Sequence, residues 1–237
     1  MNDEKTVALV TGANKGIGYA IAEGLGAQGM RVGVGARDDV RREEAVEKLR
    51  AAGVDAFGVP LDVTDDASVA AAAASLDRLD VLVNNAGITG GWDQRPTEVD
   101  LDTVRSVVEV NVYGVIRMMD AMLPLLRRSA HPRIVNVSSG VGSLTRQSSG
   151  GDTGPIATAY SPSKTFLNAV TVQYVKALAE TNIKINLACP GFVATDLNGF
   201  RGHRTPEQGA ATAIRLATLP DDGPTGGYFE DAGEIPW

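Results

Sequence analysis

Hydrophobic residues fall into short runs rich in β-branched side chains, and longer stretches with the three-to-four-residue spacing of helices separate these runs. The apolar runs predict six strands, at residues 7–11, 31–35, 56–63, 81–83, 134–137 and 183–187. The intervening stretches predict helices at residues 18–28, 40–52, 65–76, 101–128 and 157–180. Strand and helix therefore alternate along the chain.

The predicted strands are apolar almost throughout rather than at alternate positions. Strands of this kind are buried on both faces, as in a parallel sheet covered by helices. Residues 227–229 predict a further strand near the end of the chain. The pattern therefore predicts an α/β fold, a single-domain doubly wound parallel sheet of about seven strands with helices on both faces. No linker rich in Pro, Gly or Ser divides residues 1–237, which favours one domain.

Composition and charge narrow the range of partners. The net charge of -7 and the isoelectric point near 4.9 disfavour nucleic acid and anionic membranes as partners. We expect no metal site, because His131 and His203 have no ligand spacing with Cys189, the single cysteine. The first residues lack the layout of a signal peptide, and no apolar run reaches membrane-spanning length. We therefore expect a cytoplasmic protein.

Three glycines, Gly12, Gly16 and Gly18, lie between the first predicted strand and the first predicted helix. Glycine allows a tight turn and a close approach of the backbone to a pyrophosphate, and a helix N-terminus offers free N–H groups. The turn therefore predicts an anion site. Its spacing differs from the G-x-G-x-x-G dinucleotide fingerprint, and a plain strand-to-helix turn is the alternative.

Several motifs follow one another in a specific order. They are Thr11-Gly-x-x-x-Gly-x-Gly18, Asn84-Asn-Ala-Gly87, Asn111, Ser139, Tyr160-x-x-x-Lys164 and Pro190-Gly191. In this order, over residues 7–229, the chain resembles the short-chain dehydrogenase/reductase family, and its motifs are most similar to those of the carbonyl reductases. The resemblance implies a Rossmann fold with the dinucleotide site in the N-terminal half and the catalytic and substrate elements in the C-terminal half. It also implies hydride transfer from NADPH to the carbonyl of an aldehyde, ketone or quinone.

Tyr160 and Lys164 are four residues apart in a predicted helix, so both side chains lie on one face. A nearby ammonium favours the phenolate and is expected to lower the pKa of Tyr160. This makes Tyr160 the candidate general acid. The resemblance gives Lys164 a second contact, with the nicotinamide ribose, and makes Asn111 the residue that holds a water next to Lys164. A Tyr-x-x-x-Lys pair by itself is also common on amphipathic helices.

Two serines follow the strand predicted at residues 134–137. Successive side chains of a strand point to opposite faces, so only Ser138 or Ser139 can face a site at its end. Alignment with the motif selects Ser139 as the donor to the reacting carbonyl.

The resemblance assigns the cofactor, NADP, to residues along the carboxyl edge of the sheet. They are Gly12, Asn14, Lys15, Gly16, Ile17, Gly18, Arg37, Asp62, Val63, Asn85, Ala86, Gly87, Tyr160, Lys164, Pro190, Gly191, Val193 and Thr195. Asp62 and Val63 are expected to close the third strand at the adenine, and Thr195 to bind the nicotinamide carboxamide.

The end of the second strand predicts the choice between NADPH and NADH. Ala36 cannot bind a ribose 2′-hydroxyl as a carboxylate would. Arg37, together with Lys15 and with Arg41 as a further candidate, supplies cations for a 2′-phosphate, which favours NADPH. The alternative is that Asp38 or Asp39 neutralises Arg37 or takes the ribose, although acidic residues are also expected where a helix begins.

Ser139 and Tyr160 are separated by a segment, residues 140–158, that is rich in Gly, Ser and Thr. We expect it to be a loop that selects the small-molecule carbonyl substrate together with the Trp92 loop and residues 192–204, in which Phe192, Leu197 and Phe200 suggest an apolar ligand. The sequence leaves open the substrate and whether the protein is a monomer or a homo-oligomer. A catalytically silent dinucleotide-binding sensor or scaffold of the same fold is the alternative function.

Overall fold

The computed structural model describes residues 5–91, 94–150 and 156–237. Its centre is an eight-stranded sheet in the order β3-β2-β1-β4-β5-β6-β7-β8, parallel except for the antiparallel pair β7 and β8. The strands are β1 (Val7–Thr11), β2 (Arg31–Ala36), β3 (Asp55–Pro60), β4 (Val81–Asn84), β5 (Arg133–Val137), β6 (Lys184–Ala188), β7 (Tyr228–Glu230) and β8 (Gly233–Glu234). The chain order reverses between β1 and β4, as in doubly wound folds.

Eight α-helices lie within the described residues. They are α1 (Gly16–Ala27), α2 (Asp39–Ala51), α3 (Asp66–Ala74), α4 (Leu101–Val108), α5 (Gly114–Leu126), α6 (Leu144–Ser148), α7 (Tyr160–Ala177) and α8 (Pro206–Ala217). Within the described ranges, no helix combines the length and the apolar character needed to cross a membrane.

Successive strand residues enter two separate hydrophobic cores. In β1, Leu9 packs with Leu82 and Ile134 on the face covered by α3, α5 and α7. Its neighbours Ala8 and Val10 pack on the opposite face, against α1, α2 and α8. All five β1 residues are consequently buried, which explains the uninterrupted apolar run. The predicted doubly wound fold is confirmed.

The structure departs from the predicted elements in several places. Helix α8 and strand β8 were not predicted. Strand β3 ends at Pro60, so Asp62 and Val63 follow the strand rather than close it. The segment expected to be a loop contains a 3₁₀ turn, Gly140–Gly142, and α6. Residues 151–155 of that segment, and Trp92, lie outside the described residues.

The helix predicted at residues 101–128 is interrupted by a π-helical turn, Glu109–Tyr113, between α4 and α5. Such turns insert one extra residue per turn and occur often at functional sites. Asn111 lies inside this turn and is fully buried. The change in helical phase places its side chain toward the sheet edge where the site residues converge.

Candidate active site

A cleft of about 480 Å³ runs along the carboxyl edge of the parallel strands. This is where doubly wound sheets bind ligands. It is lined by sixteen of the residues assigned above: Gly12, Asn14, Lys15, Gly16, Ile17, Gly18, Arg37, Asp62, Val63, Asn85, Ala86, Gly87, Tyr160, Lys164, Pro190 and Thr195. Ser139, Asn111, Gly191 and Val193 are adjacent to this lining rather than part of it.

The glycine turn forms the floor of the cleft and cannot accept larger side chains. Gly12 and Gly16 have φ of +64° and +56°, in the left-handed region that favours glycine. A Cβ at Gly18 would lie 2.4 Å from the Gly12 carbonyl oxygen and from the Asn85 amide nitrogen. Thr11 holds the adjacent loop, because its hydroxyl accepts hydrogen bonds from the backbone N–H groups of Asn85 and Ala86, both at 3.0 Å.

The N-terminus of α1 faces the cleft without a side-chain cap. The N-cap residue Lys15 is extended, and no acidic residue lies in the first turn. Free N–H groups and the positive end of the helix dipole are therefore available to an anion. These features fit a dinucleotide pyrophosphate, and close contacts with Ala86, Thr195 and Asn85 leave no room for a β-carbon at the turn glycines.

The candidate catalytic side chains meet at one point of the cleft. The Ser139 side chain lies close enough to the Tyr160 hydroxyl to lower the pKa of Tyr160. The Lys164 ammonium lies 5.7 Å from the centroid of the Tyr160 ring and donates a 2.8 Å hydrogen bond to the Val137 carbonyl oxygen. Tyr160 is partly exposed, whereas Lys164 is buried with 4% of its surface exposed. The helical spacing therefore places both groups at the end of β5.

Burial dominates the acid–base properties of this cluster. Removal from water raises the pKa of Tyr160 to about 12, although the hydrogen bond with Ser139 acts in the opposite direction. Burial also lowers the pKa of Lys164 to about 8. The expected lowering of the Tyr160 pKa by Lys164 is therefore not found: desolvation raises this pKa, and Ser139 rather than Lys164 acts to lower it. Tyr160 is a protonated phenol at neutral pH.

Strand alternation left open whether Ser138 or Ser139 faces the site, and the two serines have different partners in the structure. The Ser138 hydroxyl is buried and donates to the Asn168 side-chain oxygen at 2.6 Å. Ser138 lines the cleft, but its hydroxyl is occupied by Asn168, whereas the Ser139 side chain is the one that lowers the pKa of Tyr160. The backbone carbonyl of Ser139 accepts a hydrogen bond from the Tyr228 hydroxyl on β7. Ser139 is therefore the serine that shares a site with Tyr160.

Asn111 connects two segments of the site through its side chain. Its amide nitrogen donates to the Ile88 carbonyl at 2.9 Å and to the Ser163 hydroxyl at 3.0 Å. Its oxygen accepts from the Ile88 N–H at 2.9 Å. A Cβ at Gly87 would lie 3.2 Å from this oxygen and 3.7 Å from the Lys164 nitrogen. Asn111 is thus close to Lys164, but its side chain is largely engaged by the protein.

The cations at the end of β2 differ in their partners. Asp38 caps α2 through the Arg41 N–H at 3.0 Å and lies 3.7 Å from the Arg41 guanidinium. Asp39 pairs with the buried Arg42 at 2.6 Å. Within the described ranges, Arg37 is exposed and forms no ion pair, although its charge helps to lower the pKa of Asp62. The two aspartates are therefore committed elsewhere, and Arg37 is available to an anionic ligand.

Lys15 was expected beside Arg37 at a 2′-phosphate. In the structure its ammonium pairs with Asp196 at 2.8 Å, across the cleft. Asp196 begins a 3₁₀ turn that follows Thr195, and a Cβ at Gly16 would lie 3.3 Å from the Thr195 methyl group. The segment after β6 therefore closes over the glycine turn.

The remaining assigned residues differ in whether they line the cleft. Asp62 lines the cleft and accepts hydrogen bonds from the backbone and hydroxyl of Thr64, which lower its pKa. Pro190 also lines the cleft, whereas Val193 is buried against α8, where a Cβ at Gly209 would lie 2.5 Å from it.

Several cleft residues had not been selected as cofactor-binding or catalytic residues. They are Ala36, Asp38, Arg41, Leu61, Thr64, Ile88, Val110, Val137, Ser138, Asp196 and Leu197. Most of them flank an assigned residue at the end of a strand. Their position along the sheet edge could therefore have identified them from the sequence. Gln94 and Tyr228, which contact the catalytic segments, had no such signal.

Comparison with known proteins agrees with this site. A family model described as short chain dehydrogenase matches residues 6–205, so the chain belongs to the short-chain dehydrogenase/reductase family of oxidoreductases. Short-chain dehydrogenase/reductase 1 of Saponaria officinalis is 37% identical, with 95% of this chain and 94% of that protein covered. Carbonyl reductase (NADPH) 1 of Bos taurus is 32% identical, with both chains covered completely. The family assignment made from the motifs is confirmed.

A solved structure shows the same similarity in three dimensions. The NADPH-bound carbonyl reductase from chicken fatty liver superposes with a TM-score of 0.85 at 29% identity, covering 99% of this chain and 100% of that chain. The similarity therefore extends over the whole sheet and both helical layers.

Proposed function

We propose that this protein is an NADPH-dependent reductase of small carbonyl compounds, an aldehyde, ketone or quinone, with Tyr160 as the general acid. The observation that carries the proposal is the meeting of Tyr160, Ser139 and Lys164 at the end of β5, where the Lys164 ammonium lies 5.7 Å from the centroid of the Tyr160 ring and binds the Val137 carbonyl oxygen. They lie in the cleft whose glycine turn and uncapped helix fit a dinucleotide. The relatives named as NADPH carbonyl reductases support the same assignment.

NADPH supplies the hydride in this reaction. The Ser139 hydroxyl donates a hydrogen bond to the substrate carbonyl oxygen and orients it, and Tyr160 transfers its proton to that oxygen as negative charge develops. A tyrosine pKa of about 12 keeps the phenol protonated at neutral pH, which suits reduction better than oxidation. Lys164 binds the nicotinamide ribose, and its positive charge stabilises the phenolate that remains after the transfer.

Arg37 is the residue that selects NADPH over NADH. It is exposed in the cleft, without a carboxylate partner among the described residues, and Ala36 beside it offers no acceptor for a ribose hydroxyl. A guanidinium can bind a phosphate through two parallel hydrogen bonds. Asn111 is proposed to hold a water next to Lys164 through groups that its contacts with Ile88 and Ser163 leave available.

The test is a substrate panel of aldehydes, ketones and quinones, with purified protein and either NADPH or NADH. The expected result is consumption of NADPH with at least one carbonyl class, and slower consumption of NADH. Tight binding of NADPH without turnover on any panel member would contradict the reductase and favour a dinucleotide-binding sensor or scaffold.

A further inference from the structure

The helix that carries Tyr160 begins without a cap of its own. Helix α7 starts at Tyr160, and its N-cap residue is Ala159, whose side chain accepts no hydrogen bond. The first N–H groups of a helix have no partner within the helix and need an external acceptor when they are buried. Ala159 is 1% exposed, so water is a poor acceptor here. The start of the catalytic helix therefore depends on another part of the chain.

Gln94 supplies the missing acceptor. Its side-chain oxygen lies 2.9 Å from the backbone nitrogen of Ala159 and 3.3 Å from that of Tyr160. Gln94 is 2% exposed, and it lies 66 positions before Tyr160 in the chain. One amide oxygen thus accepts from both N–H groups at the start of α7. This is a helix cap provided by a residue distant in sequence.

The other end of the same amide holds the loop that follows β4. The Gln94 nitrogen donates to the carbonyl oxygens of Thr89 and Gly91, both at 2.6 Å. This loop continues from Gly87 and Ile88, which line the cleft. The Gln94 backbone carbonyl also accepts from the N–H and the hydroxyl of Thr158, at 3.1 and 2.6 Å. Gln94 therefore joins the cleft loop to the residues just before Tyr160.

The surroundings determine the orientation of this amide. Two N–H groups face its oxygen, and two carbonyl groups face its nitrogen. A flipped amide would place donor against donor and acceptor against acceptor. Both donors of the nitrogen and two acceptor sites of the oxygen are used. Of the common side chains, glutamine provides both functions at this length.

Gln94 and Asn111 act on the same pair of segments. Asn111 joins Ile88 to Ser163, and the Ser163 hydroxyl donates to the Tyr160 carbonyl at 2.7 Å. Gln94 makes an equivalent connection at the other side of Tyr160. Tyr160 is thus held between two buried amides, of which the family motifs identify only Asn111.

We propose that Gln94 is a positioning residue for Tyr160, which it holds by capping α7 and tying its start to the loop of Gly87–Gly91. The proposal rests on the reductase function proposed above, in which the Tyr160 hydroxyl must lie within reach of the substrate oxygen. A displacement of about 1 Å in a reacting group can reduce a rate by roughly 100-fold. The cofactor contacts of the glycine turn and of Arg37 do not involve Gln94. Its loss therefore lowers kcat much more than NADPH affinity, which depends on Gln94 only through the Gly87 loop and the start of α7.

The test uses Gln94→Met, which keeps the length of the side chain and removes its hydrogen bonds, and Gln94→Glu, which keeps an acceptor for the two N–H groups. Gln173→Met is the matched control, because Gln173 is exposed on the same helix. The measurements are kcat, KM for the carbonyl substrate, the Kd of NADPH and amide hydrogen exchange at the start of α7.

For Gln94→Met we expect kcat to fall roughly 10- to 100-fold, with the Kd of NADPH within about twofold of wild type and faster exchange at the amides of Ala159 and Tyr160. Gln94→Glu keeps the acceptor but turns a carboxylate oxygen toward the carbonyls of Thr89 and Gly91, so it should also lose activity, and Gln173→Met should behave as wild type. Unchanged exchange at the start of α7 or unchanged kcat in Gln94→Met would overturn the proposal.

The exchange measurement needs no turnover, so the two proposals fail in distinguishable ways. Failure of the reductase function would appear as a wild-type protein that reduces no member of the panel. Failure of the positioning role would appear as wild-type kcat or wild-type exchange in Gln94→Met.

Discussion

Two segments at the same edge of the sheet are held in place in different ways. The glycine turn after β1 is held by its own backbone conformation and by partners that are themselves motif residues, since Thr11 binds Asn85 and Ala86. The segment after β5, from Ser139 to Tyr160, depends on residues that belong to no motif. Tyr228 holds the Ser139 carbonyl, and Gln94 caps the helix of Tyr160.

The C-terminal residues strengthen this second arrangement. Arg146 of α6 forms two hydrogen bonds with Glu230, at 2.9 and 2.7 Å. The Ser143 hydroxyl donates to the Pro236 carbonyl at 2.6 Å, and the Thr145 N–H donates to the Trp237 carbonyl at 2.8 Å. The end of the chain therefore fastens the segment that follows Ser139. The cofactor side of the cleft is thus held by its own backbone conformation and by other motif residues, whereas the catalytic side is held by residues outside the motifs.

The largest effect is expected at the catalytic side, from Tyr160→Phe. Removal of the hydroxyl eliminates the proposed acid, and kcat should fall roughly 10²- to 10⁴-fold. The cofactor side should be unaffected, so the Kd of NADPH measured by fluorescence titration should stay close to that of wild type. Full activity in this variant would remove Tyr160 from the role of acid.

Lys164→Met, also on the catalytic side, tests whether burial lowers the pKa of Lys164. The folded pKa of Lys164 is about 8 against an ordinary value of 10.5, so the unfolded chain binds one more proton between these pH values. The free energy of unfolding of the wild type should therefore rise with pH over this window relative to Lys164→Met, by at most about 3 kcal/mol. Denaturant unfolding of the cofactor-free proteins at about pH 7 and at about pH 10.5 measures this difference. A pH-independent difference would contradict the lowered lysine pKa.

Arg37→Ala tests the cofactor side alone. A charge-assisted hydrogen bond contributes about 1.5 to 3 kcal/mol, so the variant should bind NADPH roughly 10- to 100-fold more weakly and NADH almost unchanged. Arg105→Ala is the matched control, because Arg105 is exposed, pairs with Asp102 and is not in the cleft lining. If Arg37→Ala weakens both cofactors equally, Arg37 does not bind the 2′-phosphate.

The smallest effect is expected from Tyr228→Phe, which removes the hydrogen bond to the Ser139 carbonyl. Loss of one hydrogen bond should lower stability by about 1 kcal/mol, and the loosened Ser139 should lower kcat by roughly threefold to tenfold. Tyr174→Phe is the control, since the Tyr174 hydroxyl binds Asp120 on the exposed side of α7. An identical kcat in the two variants would show that the Tyr228 contact does not position Ser139.

The sequence predicted the fold well because its signals are periodic and local. Each apolar run corresponds to a strand, since burial on both faces requires an uninterrupted run. Helix α8 was missed, although it begins with Pro206 and a capping box formed by Thr205 and Gln208. Those residues are a recognisable signal for the start of a helix, and it is independent of apolar periodicity.

Spacing within motifs also predicted that the catalytic candidates would share one site. Tyr160 and Lys164 lie on the same helix face because they are four residues apart. Spacing could not decide between Ser138 and Ser139. Alternation along a strand shows that their side chains point to opposite faces, but it does not show which one faces the site. Only the contact of Ser138 with Asn168 and of Ser139 with Tyr160 decided between them.

Local periodicity and spacing in the sequence were thus sufficient to specify the parallel sheet, the glycine turn and the pairing of Tyr160 with Lys164. The partner of Lys15, the cap that Gln94 places on α7 and the support that Tyr228 gives to Ser139 required the folded chain. Gln94 and Ala159 are 65 positions apart in the chain, and Ser139 and Tyr228 are 89 positions apart. No local pattern encodes such a pair, since its geometry exists only after the sheet has brought the two segments to one edge.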